Sequence, residues 1–116
     1  MRQPTFFEKG IGQDAIDPEQ VVLYALGDFQ ARGKVLAQRD LPLDRLRGAL
    51  RRASEAHSIE ELSDEDAVAV LKALGAEVRR VPAFVAKHPF RVIVPVELAE
   101  RSRLSYEEIL AALKQN

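Results

Sequence analysis

Phe90-Arg91-Val92-Ile93-Val94-Pro95-Val96 runs without a linker into Glu97-Leu98-Ala99-Glu100-Arg101-Ser102, then Leu104-Ser105, then Tyr106-Glu107-Glu108-Ile109-Leu110-Ala111-Ala112-Leu113. The first block is rich in β-branched residues and reads as a strand. Upstream, Val78, Val81, Phe84 and Val85 form a second extended stretch. Ala86-Lys87-His88-Pro89 separates the two as a turn, because Pro89 holds His88 extended and has no N–H to give to a ladder. The pattern predicts an antiparallel β-hairpin, 78–85 with 90–96. Pro82 and Pro95 confine parts of it to an edge or to strand ends.

Downstream of the hairpin the spacing predicts two short helical segments, 97–102 and 106–113. Ser105 is the expected N-cap of the second, Glu108 closes a capping box, and Leu104 against Ile109 makes a hydrophobic staple. Tyr106, Ile109, Leu110 and Leu113 would form its buried stripe. Ala99, Leu104, Ile109 and Ala112 fall at the offsets at which a helix-turn-helix buries its small and aliphatic residues.

Working towards the N-terminus, Ser63-Asp64-Glu65-Asp66 is a capping-box pattern that opens a helix over 64–74. Ala67, Val70, Leu71 and Leu74 share its inner face, and Leu71 and Leu74 are expected core residues. The acidic first turn suits the positive end of the helix dipole, and Gly75 supplies the left-handed residue that ends it. Ser58-Ile59-Glu60-Glu61 repeats the capping pattern just before. Pro42 opens another helix, about 43–56, with Leu43, Leu46, Ala49, Leu50 and Ala53 on one side and His57 extending it. Asp17-Pro18-Glu19-Gln20 starts a helix over 18–32 with Val22, Ala25, Leu26, Phe29 and Leu36 as a stripe. Gly27 and Gly33 weigh against it at about 1 kcal/mol each. The β-rich string Val21-Val22-Leu23-Tyr24 keeps a rival reading, in which residues 20–41 form a second hairpin.

The whole is an α+β chain: N-terminal helices, a Gly75-capped helix, the hairpin and a closing C-terminal helix. At 116 residues it has room for one core, so 1–116 reads as a single globular domain. Its 47% hydrophobic and 30% charged content belongs to the soluble globular class. No apolar run reaches the roughly 20 residues a membrane span needs, and Met1 to Lys9 lack a signal-peptide core. With no cysteine, disulfide frameworks, thiolate nucleophiles and cysteine zinc sites are excluded, and a cytoplasmic location is expected. Arginine outnumbers lysine 12 to 5, and asparagine occurs once. That bias suits a heat-adapted source and equally a GC-rich genome.

The net charge is −1, but it alternates along the chain: −3 over 1–29, +4 over 30–57, −5 over 58–77, +4 over 78–103 and −1 over 104–116. Local fields of both signs follow, and pairing between blocks is the simplest account. Arg79, Arg80, Lys87, Arg91, Arg101 and Arg103 gather around the hairpin and are the residues that would contact nucleic acid. Against that use, Glu107 and Glu108 sit where a recognition helix would meet phosphate, and Arg103 stands where such a turn generally has glycine.

For catalysis the inventory is thin. His57 reads as a boundary histidine, and His88 has no sequence partner. Asp64, Glu65 and Asp66 are explained by capping, and Gly10-Ile11-Gly12 lacks the rest of a phosphate loop. No catalytic residue, metal ligand or cofactor site is specified, and an enzyme is disfavoured. The expected function is a non-catalytic binding or regulatory protein acting through protein contacts, as a homodimer. A lone two-stranded hairpin is marginal in water, so either the N-terminal segment or a second copy must supply further strands. The rival is a DNA- or RNA-binding protein using the basic hairpin and the 97–115 segment.

Overall fold

In the computed structural model, residues 17–82 and 90–114 are described. The architecture is α+β: the described residues form four α-helices packed on one face of a three-stranded antiparallel sheet. Its centre is α1 (Pro18–Ala31), a helix and not part of a second hairpin. The Asp17 carboxylate accepts from the Glu19 N–H at 2.9 Å, and Pro18 takes the first helical position. Every residue from Val21 to Phe29 is buried, where the stripe predicts only one apolar side. Gly33, at φ +83°, turns the chain away beyond the end of the helix.

After a loop that buries Leu36, which lies beyond α1 rather than on its stripe, come β1 (Asp40–Pro42) and a 3₁₀ turn (Leu43–Leu46), which leads into α2 (Arg47–Ala56). The helix expected over 43–56 thus starts as 3₁₀, although its apolar side holds: Leu43, Leu46, Ala49, Leu50 and Ala53 are all buried. The Ser58 capping pattern opens no helix. Ser58 lies at φ +58° in a turn, and its backbone N–H donates to Glu55.

The next helix, α3 (Asp64–Leu74), follows the sequence expectation at both ends. Ser63 Oγ accepts from the Asp66 N–H at 3.1 Å, and Gly75 closes the helix at φ +110°. The Gly75 and Ala76 amides then satisfy the Lys72 and Leu71 carbonyls. Leu71 is buried, and Leu74 is half-buried against the core. Arg47 ties α2 to the start of α3 by donating to Asp64, Glu61 and the Leu62 carbonyl.

Gly75 releases the chain into β2 (Glu77–Arg80), which pairs with β3 (Phe90–Ile93) in the expected antiparallel sense, Val78 opposite Val92 and Arg79 opposite Arg91. The strands are shorter than expected: β2 stops before Pro82, and β3 gives way at Val94 and Pro95. The expected residues 83–85 and the turn to Pro89 lie outside the described residues. The hairpin is not alone, because β1 adds to the other side of β3, giving the order β1-β3-β2. Leu41, Val92, Val78 and Phe90 share the face turned to the helices; Asp40, Arg91, Ile93, Glu77 and Arg79 share the other.

The C-terminal segment departs from the sequence reading. Residues 96–114 form one continuous helix, α4 (Val96–Lys114), with no turn at Leu104-Ser105. Leu98, Ala99, Ser102, Tyr106 and Ile109 recur at helical spacing and line one uninterrupted inner face against α1. Packing along that face outweighs the local capping signal. Ser105 is consequently a mid-helix residue rather than an N-cap, and Leu104 is 50% exposed, on the side away from the core, so the staple is not made. No described helix is long and apolar enough to cross a membrane.

Candidate interaction surface

The outer face of the sheet holds the candidate residues that the fold brings together. Arg79 and Arg91 are direct cross-strand neighbours, a like-charge pair that would repel if left alone. Asp40, on β1 at the far side of β3 from Arg79, lies 51 residues before Arg91 and 39 before Arg79 in the chain, and it bridges the two guanidinium groups. Its carboxylate accepts from Arg79 Nη2 at 2.7 Å and from Arg91 Nε at 3.0 Å, while Arg91 Nη2 reaches the Asp40 carbonyl at 3.1 Å. The hydrogen bond from Arg91, with the charges of both guanidinium groups, holds the Asp40 carboxyl below its ordinary value of 3.8.

That depression has a sign. The cluster's contribution to stability is complete above the ordinary carboxylate value and is lost as pH falls through the lower folded value. Acid titration of unfolding should therefore show a limb below about pH 4 that Asp40→Asn flattens. An unchanged acid limb in the variant would mean that Asp40 does not couple protonation to folding.

The other candidate arginines are not part of this cluster. Arg80 is on the inner face at the sheet's end, its guanidinium 5.3 Å from the centroid of the Phe90 ring, the residue opposite it. Arg101 is exposed on α4, and Arg103, one helix side away, donates to Glu100 and Glu107. Lys87 lies outside the described residues, as do His88 and Gly10-Ile11-Gly12. The basic group seen in the sequence is thus dispersed: three of its arginines are bound to carboxylates of the same chain.

A second feature, missed in the sequence, lies where α1 meets α4. Gly27 allows the two helices to touch: a Cβ there would stand 2.2 Å from Tyr106 Cβ and 2.6 Å from the Ser102 carbonyl oxygen. Gln30 fixes the crossing by donating to the Ala99 carbonyl at 2.9 Å and Ser102 Oγ at 3.0 Å. Beside it is a mostly apolar cleft of about 140 Å³, lined by Gly27, Gln30, Ala31, Arg103, Tyr106 and Glu107. On the neighbouring face, Tyr24 meets His57 and Tyr106 edge-on, with ring centroids 5.3 and 4.9 Å away. Burial pushes the Tyr24 phenol above its ordinary value.

His57 takes the position beyond the last residue of α2, half-buried, with Nδ1 2.8 Å from the Ala53 carbonyl oxygen. A carbonyl only accepts, so that nitrogen carries the proton. The buried carboxylate of Asp28 is likewise committed within the fold, accepting from Arg52 Nε at 2.8 Å and Arg32 Nε at 3.3 Å. Asp64 accepts from Arg47, and Asp66 contributes its backbone to the Ser63 cap. Among the described residues no three His, Asp or Glu side chains converge as a cation would require.

Comparison with protein-family models, with curated proteins and with solved structures finds no match.

Proposed function

We propose that this chain is a non-catalytic binding protein that acts through protein contacts, as a homodimer in the cytoplasm. The observation that carries the reading is the Asp40 cluster. Arg79 and Arg91, the two arginines that stand opposite each other in the basic hairpin, are engaged by a carboxylate of their own chain. The outer face of the sheet is thereby a mosaic of both charges. Such a surface recognises another mosaic through position-specific pairs, whereas affinity for a nucleic acid grows with the number of phosphates neutralised. Arg103, held between Glu100 and Glu107, adds to the same pattern. The absence of cysteine from the sequence supports the reducing compartment.

The test has two arms. Light scattering at micromolar concentration should give about twice the 12.9 kDa monomer mass. Titration with duplex or single-stranded nucleic acid near physiological salt should give nothing tighter than roughly the 10⁻⁴–10⁻⁶ M of non-specific association. Nanomolar binding that disappears in Arg91→Ala would replace this reading with the nucleic-acid one. A monomer at every concentration would remove the homodimer.

A further inference from the structure

The two edges of the sheet are unequal. The β1 edge is three residues long and ends at Pro42, which has no N–H to offer. Just before it the chain kinks at Gln38, at φ +64°, and Ala37 bridges Val94 in the parallel sense, so the edge is not prolonged as a straight strand. The β2 edge lies at the other end of the strand order, and no described strand pairs with its outer side. An open row of backbone donors and acceptors is a template for another strand.

We propose that β2 pairs antiparallel with β2 of a second copy, centred on Val78, to make one continuous six-stranded sheet. The inference rests on the homodimer reading above and names its seam. Symmetry restricts the choices. The two-fold axis of an antiparallel strand pair is perpendicular to the sheet, so each face continues into the same face and the axis must pass beside a single residue. Across Glu77-Val78-Arg79-Arg80 that leaves four registers. Centring on Glu77 sets glutamate against glutamate; centring on Arg79 or Arg80 sets arginine against arginine. Like charges directly opposite are destabilising.

Centring on Val78 sets Val78 against its own copy and Glu77 against Arg79 of the second chain, twice by symmetry. The neighbouring geometry suits this register on both faces. On the inner face the apolar row Leu41, Val92, Val78 continues across the seam into its symmetry mate. On the outer face Glu77 is exposed and forms no ion pair among the described residues. Arg79, whose side chain is 53% exposed, meets Asp40 through one nitrogen. A carboxylate arriving from the second copy extends the line Asp40–Arg79 by one member.

Because the sequence contains no cysteine, an introduced one is the sole thiol. Cα atoms directly opposite in an antiparallel pair are about 4.5 or 5.5 Å apart, and both distances accept a disulfide. Under mild oxidation Val78→Cys should form a covalent dimer. Glu77→Cys and Arg79→Cys should cross-link poorly alone and readily when mixed with each other. Glu77→Lys, at an exposed position that leaves the fold intact, turns two attractive pairs into two repulsive ones and should weaken the dimer about tenfold or more. A wild-type dimer by light scattering, with Val78→Cys no faster to cross-link than its neighbours, overturns this seam and leaves the homodimer standing. A wild-type monomer at every concentration overturns both.

Discussion

Gly27→Ala is expected to destabilise the protein by about 3 kcal/mol or more. Alanine at an ordinary helical glycine gains about 1 kcal/mol of propensity, so a loss would reverse the usual sign. The reason is the crossing of α1 and α4. The added methyl would overlap Tyr106 Cβ and the Ser102 carbonyl oxygen, atoms fixed by the backbone of α4 and unable to swing aside. Relief requires the whole helix to retreat, which strips the Gln30 amide from Ala99 and Ser102. In a domain of this size the thermal midpoint should fall by roughly 10 °C or more. A midpoint within about 2 °C of wild type would show that the helices are not in contact there.

Leu71→Ala is the second large effect, at about 2–5 kcal/mol. Leu71 is fully buried, on the inner face of a helix fixed at both ends by Ser63 and Gly75, so the site has little freedom to collapse onto the void. Leu74, three residues on and half-buried, should lose less on the same truncation. Denaturant melts would measure both, and a loss below about half a kilocalorie per mole at Leu71 would mean that this face is not core.

The contrast between α3 and α4 explains how much of the fold was legible. Ser63 and Gly75 act on their own backbone neighbours, and those local signals placed α3 to the residue. Ser105 with Glu108 carries an equally good local signal, yet the helix runs through it, because the face from Leu98 to Ile109 is stabilised by a helix some seventy residues away. The helical start of α1 was legible from Asp17 and Pro18. Its burial on every side was not: Gly27 is buried by what α4 brings, and Asp28 by Arg52 of α2. β1 overlaps the rival hairpin over 20–41 only at Asp40 and Leu41 and pairs with β3 instead, because three residues carry no period and the pairing spans about fifty residues.

The candidate surface was legible to the same extent. The sequence places Arg79 and Arg91 in one hairpin, and their direct opposition depends on register. Once opposed, they require a carboxylate nearby, a signal that the sequence held but could not address to Asp40. Arg103 was placed in a turn and lies instead on a continuous helix, where Glu100 and Glu107 are its natural neighbours at three and four residues' distance.

The burial of α1 on every side also bears on the order in which the chain emerges during synthesis. This helix is made before its lid, from Leu98 to Ile109, which follows about 80 residues later. At about 5–20 residues per second, α1 waits roughly 4–16 s for the partner that shields it. Throughout that interval Val21, Val22, Leu23, Leu26 and Phe29 belong to a nascent chain with no finished core to enter. The ribosome-bound intermediate is therefore a natural client for holding chaperones, and any substitution that delays closure by α4 lowers yield before it lowers the stability of the folded molecule.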